Sequence, residues 1–228
     1  MDQHVLYDRR SAGALLGIEV AKTALENPVV LGLPRGGVPV ADKVAEALRA
    51  PLDVIVVRKL GVPGQRELAM GAVGENGAVV LNDDVVRSAQ VTEAELREVE
   101  SRERLELDKR LRRVRSVRPR ESLVGRTAVI VDDGVATGAT MRAAIRVARA
   151  NGARDVIVAA PVAPPDVAEM LRSEADVVVC LAEPEPFWAV GTWYRHFEAV
   201  GDDEVVALIT AAAARAGVAD SHDRPARP

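Results

Sequence analysis

Short runs of Val, Ile and Leu alternate along the chain with longer segments in which apolar residues recur every three or four positions. The runs cover residues 29–33, 53–57, 78–81, 127–131, 155–160 and 176–180. Continuous apolar runs of this length suit strands buried on both faces. Between them, 38–50, 141–151 and 165–174 read as helices. Another helix is expected over 8–26, with Leu15, Ile18, Ala21 and Leu25 on its buried face and Pro28 ending it. Strands alternating with helices imply an α/β fold with a doubly wound, mainly parallel sheet flanked by helices. In such sheets, ligands bind beyond the carboxyl ends of the strands. Glycine-containing turns follow Leu33 and Val131, both at that edge.

Residues 92–117 break the alternation. Thr92 and Glu95 have the spacing of a capping box. Leu96, Val99, Leu107, Leu111 and Val114 keep a helical stripe among many Arg and Glu. A long, charged, amphipathic helix is predicted, either covering the sheet or making a homodimer contact. Its end is basic (Lys109, Arg110, Arg112, Arg113, Arg115), which complements a helix dipole.

Composition narrows the classes. With 228 residues and 48% hydrophobic content, the chain can bury one sizeable core. Its net charge of −4 gives no sign of a nucleic-acid-binding protein. The single cysteine, Cys180, ends a Val-rich strand and reads as a core residue; no internal disulfide is possible. No run reaches the roughly 20 apolar residues needed to span a bilayer, and no secretory signal is visible. A cytoplasmic protein with no membrane partner is expected.

Candidate chemistry sits at the two turns. After the apolar run 127–131 come Asp132 and Asp133, then Gly134-Val135-Ala136-Thr137-Gly138-Ala139-Thr140 and a helix. A helix N-terminus offers unpaired N–H groups and partial positive charge to a phosphate. Gly138 lets backbone approach an anion closely, and Thr137 and Thr140 add hydroxyl donors. The two carboxylates suit a vicinal diol. A diol and a phosphate on one molecule describe ribose 5-phosphate. The loop is neither a Walker loop nor a dinucleotide fingerprint. The turn Pro34-Arg35-Gly36-Gly37 reads as a second anion site, combining a cation with permissive backbone. Arg58 and Lys59 follow the second run at the same edge.

The 127–140 block resembles the phosphoribosyl pyrophosphate signature of type I phosphoribosyltransferases. The resemblance implies a five-stranded, mainly parallel sheet with a small hood. It implies that Asp132 and Asp133 hold the ribose hydroxyls and that Val135, Ala136, Thr137, Gly138, Ala139 and Thr140 wrap the 5-phosphate. Arg35, Gly36, Gly37, Arg58 and Lys59 would meet the pyrophosphate, with Asp132, Asp133, Lys59 and Arg35 as the catalytic set. Mg²⁺ would be the cofactor, bound through the donor with no metal cage of the protein's own. Residues 65–77, including Arg66 and Glu67, match the place of the family's mobile loop. The layout implies one domain over 1–217 with a helical insertion at 82–120, a hood at 183–200 and a disordered tail at 218–228.

The hood segment holds both tryptophans, both phenylalanines and one of the two tyrosines. Phe187 and Trp188 are candidates for the acceptor pocket, because aromatic faces stack on planar ligands. Trp193, Tyr194 and Phe197 are candidates for packing, and an aromatic core holding the segment down explains the cluster equally well. His196 is given no catalytic part. Members acting on 6-oxopurines carry an acid where this chain has Ala136, which cannot transfer a proton. The expected function is transfer of a phosphoribosyl group between phosphoribosyl pyrophosphate and a nitrogenous acceptor. The alternative is a regulatory protein of the same fold that binds such ligands without turnover.

Overall fold

The computed structural model describes the backbone of residues 6–222; the side chains of Arg66, Glu67 and 216–222 lie outside the described set. The chain enters through α1 (Arg9–Val20), which Asp8 caps by accepting a hydrogen bond from the Ser11 N–H at 2.7 Å. It continues through β1 (Val29–Gly32), α2 (Gly37–Leu48) and the short β2 (Leu52–Val54). The predicted run at 53–57 is therefore divided: Asp53 and Val54 belong to the main sheet, and Val57 opens a different one. That second sheet is antiparallel, built from β3 (Val57–Val62), β4 (Gln65–Gly74) and β5 (Val79–Leu81). Most of the 65–77 segment, expected as a loop, is thus a paired strand. Two helices follow, α3 (Asp83–Ser88) and α4 (Glu93–Arg115), the latter with the predicted Thr92–Glu95 capping box. The chain then returns through β6 (Thr127–Val131), α5 (Ala139–Ala150), β7 (Asp155–Val162), α6 (Pro165–Arg172) and β8 (Val177–Ala182). A 3₁₀ turn at Val190–Trp193 and α7 (Asp202–His222) complete it. α7 runs past Gly217, where the domain was expected to end; the rest of the expected tail, 223–228, lies outside the described residues.

The main sheet is parallel, in the order β2-β1-β6-β7-β8. Alternate residues face opposite layers. Val30, Val129 and Ile157 meet α2, the end of α4 and α7. Leu31, Ile130 and Val158 meet α5 and α6. Both faces are covered, which is why the strands read as unbroken apolar runs. A smaller core lies between the antiparallel sheet and α4, around Leu60, Met70, Val73 and Val99. Helix α4 bridges the two, because Leu107, Leu111 and Val114 belong to the main core. The strand order reverses at β1 and β6, which lie side by side with Gly32 opposite Val131. The turns leaving those strands are therefore neighbours, at the topological switch point where such sheets bind ligands.

One predicted face is corrected. Leu15 and Ile18 are 53% and 57% exposed, whereas Ala12, Gly13, Leu16, Gly17 and Val20 are buried. The cause is close helix packing. A Cβ at Gly13 would lie 2.6 Å from the Val40 carbonyl oxygen, and one at Gly17 would lie 2.8 Å from Ala47 Cβ. The two glycines give α2 its seat, with Leu16 and Val20 buried on the same side, and Leu15 and Ile18 turn outward. The helix also stops at Val20, earlier than Pro28 implied.

Candidate active site

The loop after β1 and the loop after β6 press against each other through glycine. A Cβ on Gly36 would lie 2.0 Å from Asp133 Oδ2, and one on Gly37 would lie 2.6 Å from the Val131 carbonyl oxygen. No larger residue fits either place while the acids stay where they are. Helix α2 begins at this contact with no side-chain cap, and so does α5, whose N-cap Gly138 has φ +74°. By contrast, Asp8, Asn82 and Thr92 cap α1, α3 and α4 with their side chains. At α2 the first N–H groups are already bonded, Gly37 to the Leu33 carbonyl at 3.0 Å and Val38 to the Arg35 carbonyl at 3.2 Å, and Pro39 has none. An uncapped start otherwise keeps donor N–H groups for another partner, and the start of α5 is the open one beside the acid pair.

Asp132 and Asp133 differ in their surroundings. Asp132 Oδ1 accepts a hydrogen bond from the Asp133 N–H at 2.9 Å. Burial holds the Asp132 carboxyl well above the usual carboxylate range, and the adjacent Asp133 charge pushes it the same way. Asp133 has a cationic partner: Arg9 Nε donates to its Oδ2 at 2.7 Å, with both side chains nearly buried. Arg9 is fixed in turn by the hood. Its Nη1 donates to the Glu198 carbonyl at 2.7 Å, and its guanidinium lies 3.8 Å from the centre of the Phe197 ring. The Tyr194 hydroxyl donates to the Asp133 carbonyl at 2.5 Å, and burial pushes that phenol far above its ordinary range. Arg9 was missed in the sequence, since nothing local marks a residue whose partner is 124 positions away. Tyr194 was assigned to packing and is buried, and its hydroxyl also anchors the acid pair.

The phosphate-loop residues divide as well. Val135 is buried, and its N–H donates to the Val162 carbonyl at 2.9 Å. Ala136, Thr137, Ala139 and Thr140 are exposed on the rim. Thr137, Ala139 and Thr140 line a cleft of about 410 Å³ together with Lys59, Asn82 and Arg142. Arg35 is in a different place, lining a hollow of about 570 Å³ beside α4 and α7. Lys59 therefore shares a cleft with the loop after β6, while Arg35 faces the other side. Arg58 is engaged by Glu103 of α4 through two hydrogen bonds of 2.9 and 2.6 Å. In the hood, Phe187 stacks on the buried Trp193 with ring centres 6.2 Å apart, whereas Trp188 is 83% exposed. The structure sends these two candidates in different directions. Cys180 is half-buried, and burial pushes its thiol up to about 11, as suits a packing residue. Among the described residues there is no cluster of three or more His, Cys, Asp or Glu able to hold a metal ion. None of the described helices is long and apolar enough to cross a membrane.

The switch point of the doubly wound sheet thus brings two glycine-containing loops against one acid pair. Residues 9–195 match the phosphoribosyl transferase domain, and the chain belongs to that family. Two Mycobacterium tuberculosis proteins, from strains CDC 1551 and H37Rv and each provisionally named a phosphoribosyl transferase, are 53% identical over 221 residues, 96% of this chain. The chain spans about half the length of these relatives, 50% in each case. The crystal structure of TT1426 from Thermus thermophilus is similar over 91% of this chain and 98% of that one, with 49% identity and a TM-score of 0.86.

Proposed function

We propose that the chain transfers the 5-phosphoribosyl group between phosphoribosyl pyrophosphate and a nitrogenous acceptor. The observation that carries this reading is the contact of Gly36 and Gly37 with the acid pair, beside the uncapped start of α5. A donor with a phosphate at one end, a diol in the middle and a pyrophosphate at the other matches that order of groups. The 5-phosphate would lie at the start of α5, against Ala136 to Thr140. Val135, whose N–H is already bonded, serves that loop as its anchor. Lys59 would reach the same phosphate from β3, and Arg35 with Gly36 and Gly37 would meet the pyrophosphate.

In the forward reaction the bond from the anomeric carbon to the pyrophosphate oxygen breaks, and its electron pair leaves with pyrophosphate. An acceptor nitrogen forms the new bond and gives up a proton. Positioning and electrostatics dominate such a displacement. Asp132 and Asp133 favour positive charge on the sugar, and Arg35 favours negative charge on the leaving group. Asp133 is already neutralised by Arg9, so Asp132 is the acid available to the ribose and to Mg²⁺. A hard carboxylate pair beside a pyrophosphate site fits that ion, which takes one or two carboxylates, substrate phosphates and waters. When bound, Mg²⁺ would neutralise charge on the pyrophosphate. Ala136 supplies no proton transfer, so the acceptor must lose its proton elsewhere. The exposed face of Trp188 is a hood surface open to an acceptor; the Trp193 indole N–H lacks a partner among the described residues but is sealed from solvent.

The test is to incubate the protein with phosphoribosyl pyrophosphate, Mg²⁺ and a panel of purines, pyrimidines and other nitrogenous acceptors, and to measure pyrophosphate release. Release with one acceptor, lost in Asp132→Asn, is the expected result. Tight donor binding with no release across the panel would replace the enzyme by a sensor of the same ligand.

A further inference from the structure

We propose that the hollow between α4, α7 and the Arg35 loop is a second anion site, which takes a diphosphate or longer polyphosphate chain and receives the pyrophosphate leaving the donor loop. The proposal rests on the donor reading above for the origin of the ligand and on separate residues for its binding. Glu106, Lys109, Arg110 and Arg113 recur at helical spacing, so they form one stripe of α4 beside the buried Leu107, Leu111 and Val114. That stripe lines the hollow, and Arg35 lines it from the other side. Four cations therefore share one space with two lining carboxylates, Glu106 and Asp202.

The carboxylates satisfy this charge poorly. Asp202 stands 3.6 Å from Arg35, with both side chains more than half exposed. Arg113 meets Asp203 at 3.2 Å, and Lys109 meets Glu106 at 2.6 Å, again in solvent. Exposed pairs of this kind contribute little and are readily exchanged. Arg110 has no ion pair among the described residues. Val56, Val114, Val205 and Val206 form apolar wall beside these cations, which strengthens their field inside the hollow. Guanidinium groups from two directions match phosphate oxygens by bidentate hydrogen bonding, and several separated cations favour a polyanion over a single carboxylate. The site is a compact, partly open hollow of about 570 Å³, of a size for a small polyanion, and not the long stripe that a nucleic acid would need. Arg35 lines this hollow and belongs to the loop that presses on the acid pair, so one cation adjoins both places.

Calorimetric titration of the whole chain with inorganic pyrophosphate tests the idea. Two binding events are expected. Arg110→Ala combined with Arg113→Ala should weaken one of them about tenfold or more, the scale of losing charge-assisted hydrogen bonds, and leave the other. Gly36→Ala, whose Cβ would lie 2.0 Å from Asp133 Oδ2 and displace the donor loop, should do the converse. Arg97→Ala, at the far end of α4, should change neither. Both arginines are exposed and alanine suits a helix, so the double variant should fold, and a thermal melt verifies this. A single event untouched by the α4 variants would overturn the hollow and leave the donor reading standing. Equal weakening by Arg97→Ala would overturn it too, by reducing the effect to diffuse charge. Loss in the α4 variants with no response to Gly36→Ala would uphold the hollow and sink the donor reading.

Discussion

At Asp132 the proposed binding role and the demands of folding oppose each other. A carboxyl whose pKa is raised in the folded chain holds its proton more tightly there than in the unfolded chain. The stability it adds is present below about pH 4, the ordinary aspartate range, and is lost as pH rises through the folded-state value. Asparagine imitates the protonated acid at every pH. Asp132→Asn should therefore melt close to the parent near pH 4 and increasingly above it toward pH 8, while losing turnover. Melting curves across that range check the sign; a gap that shrinks with rising pH would refute it. Of this arrangement the sequence shows the acid pair and its loop, since Asp-Asp followed by a Thr-Gly loop is a local pattern. It does not show that the two acids are unequal. That depends on Arg9 and Tyr194, which only the tertiary fold brings to Asp133.

Among the elements, α1 shows where periodicity misleads. The spacing of Leu15 and Ile18 suggested a face that the structure turns to solvent, because the contact with α2 is set by the absence of side chains at Gly13 and Gly17 beside the buried Leu16 and Val20. Gly13→Ala separates the two influences. Helix propensity alone would favour alanine by about 1 kcal/mol. A methyl 2.6 Å from the Val40 carbonyl oxygen must instead push the helices apart, at a cost of roughly 1–3 kcal/mol. Urea unfolding should show net destabilisation, while Ile18→Ala on the exposed face should stay within about 0.5 kcal/mol. Elements with strong local signals were legible: β6 has the expected bounds, and α4 has the expected capping box. The 53–57 run was not, because an unbroken apolar stretch carries no mark of the point where a chain leaves one sheet for another.

For the molecule as a whole, the antiparallel sheet and α4 must be held to the parallel sheet across a long excursion. Arg115, the last residue of α4, performs that task. It donates to Asp53 of β2 at 2.8 Å and to Glu75, just after β4, at 2.5 and 2.6 Å. Asp53 is only 1% exposed, and it also accepts from the Val54 and Glu121 N–H groups. Removing the cation leaves a buried charge without its counterion, which costs roughly 3–5 kcal/mol. Arg115→Ala should lower the urea midpoint accordingly, and adding Asp53→Asn should recover part of the loss. No change in the midpoint would mean that the main sheet is indifferent to the clasp. A different join matters for anyone redesigning the acceptor end. Val190 of the hood occupies the space that a Cβ on Gly134 would need, with Val190 Cγ1 only 2.4 Å from that position. The hood is therefore not an interchangeable module. A graft from another relative would have to bring a side chain that fits beside Gly134, or the exchange would distort the loop after β6 before any new specificity could be read out.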